Sequence, residues 1–443
     1  MQTDRRFYEG WYSAMRHILA ASFAIILAGS ALSLQRPAIA ADNEQADQLS
    51  FHFVDESKYP EMLLDDAQRL DRAAREISTS ALNDVLTSLE TRLSDPGTLT
   101  QIELARLEML TARALTDLGE RAFGTASFDR AMTLYQQAII QLREETQSPS
   151  RLEAEAGFVR AWTLSLAETN VPAQLYEIVD YAEALLNNPA NASNPIELAA
   201  INREIAIVRR LIFNLTPNSL DVYFAAKADL ENALRLLSIS ENPDDWARAH
   251  FELGRLYATR GINFNDEDAA ILAIEEFNTS TMIWSEESSP FDWLRASNAI
   301  AFAERVLKDS PDNGAQQILA SFDYLDKAQN PKDWLEAKWG YLFLLERDPE
   351  RDGDALDLAR QLVSAKFENL PLHYELAAYT HLSSAIVRIG PESFSQSDLM
   401  DVIKLLYVGW QKADAEGWTR HRADIEAHIT YLMQFIAEST QSA

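Results

Sequence analysis

The chain of 443 residues contains no cysteine. That excludes disulfides, thiol catalysis, cysteine-based zinc sites and a lipidated cysteine anchor. Glycine (14) and proline (15) are both sparse, and no Val/Ile/Thr alternation is bounded by Asn-Gly or Asp-Gly turns, so strands are not expected. Basic residues are few: 39 Lys and Arg stand against 68 Asp and Glu, a net charge of −29. Such a chain avoids nucleic acid and anionic lipid surfaces. Beyond the N-terminal segment no apolar run is long enough to span a bilayer. What remains is rich in Ala, Leu, Glu, Arg and Gln, with 47% apolar residues. That composition builds helices with a sizeable core.

The N-terminus reads as a targeting segment. Arg5, Arg6 and Arg16 precede a run from Ile18 to Leu34 that is apolar or small, followed by Ala38 and Ala40 at the positions of an A-x-A cleavage site. The expected organisation is a signal peptide over residues 1–40, a polar leader over 41–58 and a helical repeat domain over 59–443. Met15 is an alternative start, and an uncleaved anchor helix is the alternative to cleavage. The reading implies a periplasmic or secreted protein of a Gram-negative type of envelope, with no stable membrane span once the segment is removed.

Three stretches repeat a pattern: "NPDDWARA" from Asn242, "SPFDWLRA" from Ser289 and "NPKDWLEA" from Asn330. Weaker relatives begin at Ser148, Asn194, Asp95 and Leu370, and place prolines at 96, 149, 195, 243, 290, 331 and 371. A spacing in the forties is the period of stacked helical hairpins. Asn242, Ser289 and Asn330 are expected N-caps. Pro243, Pro290 and Pro331 are expected at the first helical position, where a missing N–H is harmless. Asp245, Asp292 and Asp333 are expected to reach back in the manner of a capping box, and Trp246, Trp293 and Trp334 to wedge between hairpins. Apolar stripes follow each start, such as Ala249, Leu253 and Leu256 after Trp246. Second helices carry Ala131, Tyr135, Ala138; Ala226, Leu230, Ala233; and Ala273, Phe277, Ser280, with looser versions at Ser321, Leu325, Ala328 and at Leu358, Leu362, Ala365.

The stretch from Leu115 to Ile139 resembles a tetratricopeptide (TPR) repeat, with Leu118-Gly119, Ala131, Tyr135 and Ala138 in register. Leu253, Gly254 and Tyr257 match its Leu-Gly-x-x-Tyr, with a loop expected to be seven residues longer before Ala273. The Pro-x-Asp-Trp form is similar to a long-repeat bacterial variant. The resemblance covers roughly residues 60–440 and departs from the usual repeat of about 34 residues. It implies an all-α, right-handed superhelical solenoid of antiparallel hairpins, about seven or eight repeats long. It also implies that first helices line a partner-binding groove. The groove positions are Arg203, Arg210, Arg248, Phe251, Arg255, Arg295, Asn298, Phe302, Arg305, Trp339 and Phe343.

Candidate chemistry is thin. His421, Asp424 and His428 share a helix face, but the two histidines stand about 10.5 Å apart along the axis, awkward for one metal ion. "DPERDGDALDLA" from Asp348 has the front half of a calcium loop and Ala359 where the bidentate acid belongs; "NFNDED" from Asn263 lacks the glycine. Both read as turns and acidic helix starts. No nucleophile elbow, P-loop or dinucleotide fingerprint occurs. The expectation is a non-catalytic scaffold or adaptor without cofactor or metal that binds a protein or peptide. The alternative is an α-helical enzyme or binder acting on an envelope glycan.

Overall fold

Proline sets where many of these helices begin. In the computed structural model, Pro149, Pro195, Pro243, Pro290 and Pro331 each stand as the first residue of a helix, a position that asks for no backbone N–H. Pro371 immediately precedes a helix, and Pro96 lies in the turn before another. The structure describes residues 60–122, 125–143, 149–167, 171–304, 306–307, 318–346, 348–365, 367 and 370–441, all within a unit spanning Ser50–Ala443. The expected signal peptide and leader lie outside the described residues.

Among the described residues every regular element is helical. The helices are α1 (Glu61–Arg75), α2 (Ser80–Ser94), α3 (Gln101–Ala122), α4 (Thr125–Gln141), α5 (Pro149–Leu166), α6 (Pro172–Leu186), α7 (Pro195–Leu215), α8 (Leu220–Leu236), α9 (Pro243–Phe264) and α10 (Glu267–Ser280). They continue as α11 (Pro290–Glu304), α12 (Pro331–Leu345), α13 (Asp352–Ser364), α14 (Leu372–Ile389), α15 (Gln396–Ala415) and α16 (Thr419–Gln441). Consecutive helices pack as pairs, most extensively α9 with α10, α7 with α8, and α3 with α4.

The pairing is cut into the sequence by small residues. A Cβ on Gly254 would stand 2.7 Å from the Phe277 ring, and one on Gly119 would stand 2.8 Å from the Phe128 ring. In each hairpin the aromatic of the second helix lies directly on the backbone of the first, an approach only glycine allows. The predicted stripes are interior: Leu253, Leu256, Ile201, Ile205, Val208, Ala296 and Ala303 are buried, as are Ala131, Tyr135, Ala138, Ala226, Leu230, Ala233, Ala273, Phe277 and Ser280. Ala328 departs from the pattern and is exposed. The extra residues before Ala273 lengthen the first helix rather than a loop. α9 runs 22 residues, and Asn265, at φ 52°, and Asp266 alone separate it from α10.

The helix starts differ from expectation in their caps. Asn242 and Asn330 accept no capping hydrogen bond, nor does Asn194. Ser289 donates its hydroxyl to Asp292 Oδ2 at 2.7 Å. Asp245 and Asp333 turn instead toward arginines of the preceding first helix, Arg203 at 2.9 Å and Arg295 at 3.7 Å. Asp333 is buried while Asp245 is partly exposed, and in both a carboxylate gains more from a guanidinium than from a single backbone N–H. The three motif tryptophans are half-buried. Trp246 and Trp293 pack on the central core, Trp334 packs on the C-terminal core, and Trp293 and Trp334 share a small cluster around Leu294, Ala301 and Ala337. Deeper tryptophans are Trp284 and Trp339.

The first helices form a row: α1 touches α3, α3 touches α5, α5 touches α7, α7 touches α9 and α9 touches α11. The row then returns to its origin, because α11 packs on α1 and α12 packs on α3. Arg121 of α3 fastens this closure. It is almost wholly buried, donates to Glu76 O at 2.7 Å and Ala74 O at 2.6 Å, and lies 3.6 Å over the Phe291 ring of α11. Its cation thereby satisfies carbonyls at the C-terminal end of α1. Asn330, freed from capping, donates to Ile77 O at 2.8 Å. The predicted calcium-loop stretch is a short 3-10 turn, with Asp348 accepting from Glu350 N and Asp352 accepting from Arg388 Nε at 2.7 Å.

Candidate functional site

The closed row of first helices surrounds a chamber of about 640 Å³. Each helix contributes charge: Asp71 and Arg75 from α1; Arg106, Arg113, Asp117, Glu120 and Arg121 from α3; Glu153 and Arg160 from α5. Glu197, Arg203 and Glu204 come from α7, Asp244, Asp245 and Arg248 from α9, and Asp292 and Arg295 from α11. Among the described residues eight arginines and ten carboxylates line it, with no lysine or histidine. In a chain of net charge −29 this near balance concentrates arginine on one surface. Arginine suits a partly desolvated site because its fork holds two acceptors and is weakly hydrated.

The charges form a connected network. Arg75 Nε lies 3.1 Å from Asp71 and Arg113 Nη2 lies 3.3 Å from the same carboxylate. Arg160 Nη2 reaches Glu120 at 2.8 Å and Asp117 at 3.1 Å. Arg295 Nη2 reaches Glu120 from the other side at 2.8 Å, so Glu120 bridges α5 and α11. Asp244 accepts from Arg248 Nη2 at 3.1 Å and from Trp284 Nε1 at 2.9 Å. Burial pushes the Glu120 carboxyl up, but Arg295, Arg160 and Lys332 hold it well below its ordinary range. Asp244 is likewise burdened by burial and brought down by Arg248 and Arg75. Asp292 and Glu204 go the other way, because burial outweighs their neighbouring arginines. Burial also raises Asp333 to about 6.

A narrower recess of about 50 Å³ adjoins the chamber and shares Glu120, Arg160, Arg203, Glu204, Arg248, Asp292 and Arg295 with it. It adds Arg255, Glu252, Phe251 and Trp284. Arg255 Nη1 pairs with Glu252 at 3.1 Å. The guanidinium carbons of Arg255 and Arg295 lie 5.9 Å and 5.7 Å from the Phe251 ring, which holds both in place.

The residues predicted for a groove thus fall into two groups. Arg203, Arg248 and Arg295 line the chamber, and Arg255 and Phe251 line the recess. Arg210 is buried, with its Nε 3.8 Å from Glu252. A second group is aromatic and lies elsewhere: Phe302 and Phe343 rings are 5.7 Å apart, and Trp339 and Phe343 both pack on His381. Asn298 is half-buried, its Oδ1 without a hydrogen-bond partner. Arg305 lies outside the described residues. Of the repeat residues, Pro243, Asp245 and Asp292 line the chamber, Pro290 and Pro331 do not, and Asp333 approaches it through Arg295.

Sequence reasoning missed Asp71, Arg75, Asp117, Glu120, Arg121 and Arg160. They come from hairpins without the tryptophan motif; Arg75 and Asp71 are neighbours on one helix, while Arg160 meets Asp117 and Glu120, and Glu120 meets Arg295, only across long stretches of chain. Trp284, which fixes Asp244, was also missed. In the histidine trio, His428 Nδ1 lies 2.8 Å from Ser383 Oγ, while that hydroxyl donates to Thr380 O. His421 packs edge-on against Trp418. No family model matches the chain, and no curated protein matches it.

Proposed function

We propose that the chain is an exported, non-catalytic scaffold of TPR-like hairpins, seven or eight repeats wound as a right-handed superhelical solenoid, that binds a protein or peptide on its inner surface. The observation that carries this reading is the chamber: six first helices direct side chains of both signs into one space of about 640 Å³. That volume lies in the range of small-ligand sites, roughly 300–1,000 Å³, enough for a few residues of a bound chain. Arginine forks and carboxylates side by side recognise a partner carrying both charges, as a peptide does. Localisation in the envelope follows from the N-terminal segment alone.

The test is site-specific photocrosslinking in the native host. A benzophenone amino acid at Ala200, which lines the chamber, is compared with one at Ile140, which is 62% exposed. The reading expects a discrete partner adduct from position 200 and none from position 140. Adducts confined to position 140 contradict it.

One observation favours the glycan reading as the alternative. Asp244 and Asp292 line the same chamber, and their surroundings drive one carboxyl down and the other up. Paired carboxyls of divergent acidity are what glycoside hydrolysis uses. Release of reducing ends from envelope glycan, abolished by Asp292→Asn, is the outcome that reading requires. Intact glycan after prolonged incubation removes it.

A further inference from the structure

We infer that the recess beside the chamber is an oxyanion subsite, built to receive one carboxylate or phosphate carried by the ligand that occupies the chamber; this rests on the binding-protein reading above. Size is the first argument. At about 50 Å³, against the roughly 10–15 Å³ that one water needs on the same measure, the recess has room for a few waters or one carboxylate or phosphate group, and it leaves the rest of a ligand in the chamber.

Charge is the second. Arg160, Arg203, Arg248, Arg255 and Arg295 line it against Glu120, Glu204, Glu252 and Asp292, an excess of cation inside a chain of −29. Arg160 faces Arg248, and Arg255 faces Arg295, closely enough to oppose one another's charge, although the surrounding carboxylates outweigh that repulsion. An oxyanion placed between such a pair meets cations from two helices at once.

Donor geometry is the third. Among the described contacts, Arg160 and Arg248 each engage carboxylates through Nη2, and Arg255 engages Glu252 through Nη1. The remaining N–H groups of these forks suit the two oxygens of an oxyanion. Ion pairs with Glu252 and Glu120 already hold Arg255 and Arg295 in place, so little side-chain freedom is lost on binding.

The test is calorimetric titration of the full chain with three probes: citrate, inorganic phosphate and an end-blocked Ala-Glu-Ala peptide. The inference expects saturable binding of at least one, the preferred probe separating carboxylate from phosphate. Arg160→Gln with Arg248→Gln should weaken it at least about tenfold. Arg130→Gln, at an exposed pair with Glu90 outside the chamber, should leave it unchanged. If circular dichroism shows the double variant unfolded, Arg248→Lys decides, since it keeps the charge and loses the fork; a several-fold loss is expected. No heat from any probe, or equal binding by the folded variants, overturns the inference. Crosslinks from position 200 without oxyanion binding would remove this subsite and leave the binding-protein reading standing. Oxyanion binding without those crosslinks would do the reverse.

Discussion

Two stretches of this molecule use the same helix-pair unit and fill its interior in opposite ways. Around α1 to α11 the first helices enclose arginine and carboxylate, and a cation, Arg121, locks the closure. Around α12 to α16 the interior is apolar and aromatic, with Trp339, Phe343 and His381 in contact and Glu346 accepting from His381 and Arg388. The lesson is that the hairpin supplies only a frame. Where six first helices converge on one space, each can meet an opposite charge on a neighbour, so buried ions become tolerable. Where they do not, the same face is filled by rings.

The largest break in that comparison should come from Arg121→Met. It removes a buried cation that satisfies α1 carbonyls and stacks on Phe291, and should cost about 3–5 kcal/mol by urea denaturation. Trp339→Ala in the aromatic stretch should cost about 3 kcal/mol through a cavity. The two should differ in kind: chamber-side chemical shifts move in the first and not in the second.

Glu108 sharpens the electrostatic side. It is buried on α3, accepts from Gln141 Nε2 at 2.9 Å and leaves Oε2 without a hydrogen bond, and burial raises it to about 7. A carboxyl raised above its unfolded value of about 4.3 stabilises the fold fully below that pH and loses the contribution as pH rises through about 7. Glu108→Gln should therefore gain about 1–3 kcal/mol over the wild type at pH 8 relative to pH 4, read as the gap between two denaturation series. Equal pH dependence would contradict the assignment. The smallest effect expected is Asn330→Ala, which leaves Ile77 O short of a donor and should cost about 1 kcal/mol.

How much of this was legible in one sequence depends on distance along the chain. The prolines at 149, 195, 243, 290 and 331 begin helices because a local rule governs them. Leu253, Gly254 and Phe277 meet because a hairpin brings neighbours together. Asp245 and Asp333 were legible as recurrent and misread as caps, since their arginine partners stand one repeat away, whereas Asp292 does meet Ser289 at its own helix start. Arg121 meeting Phe291, and Asn330 meeting Ile77, join segments 170 and 253 residues apart. No periodicity encodes how many hairpins complete a turn. That number depends on small packing angles between helices, summed over the row, and it is what creates the chamber.

Closure is therefore the claim to test first, and a chain without cysteine allows it directly. Thr79 Oγ1 lies 3.5 Å from Gln329 O across the closure. In the double variant Thr79→Cys with Gln329→Cys, mild oxidation should form an intramolecular disulfide, seen as a reducible mobility shift of the monomer at low protein concentration. Retention of both free thiols by folded protein, or a bond formed only between molecules, would show that the row of first helices does not return on itself and that no such chamber exists.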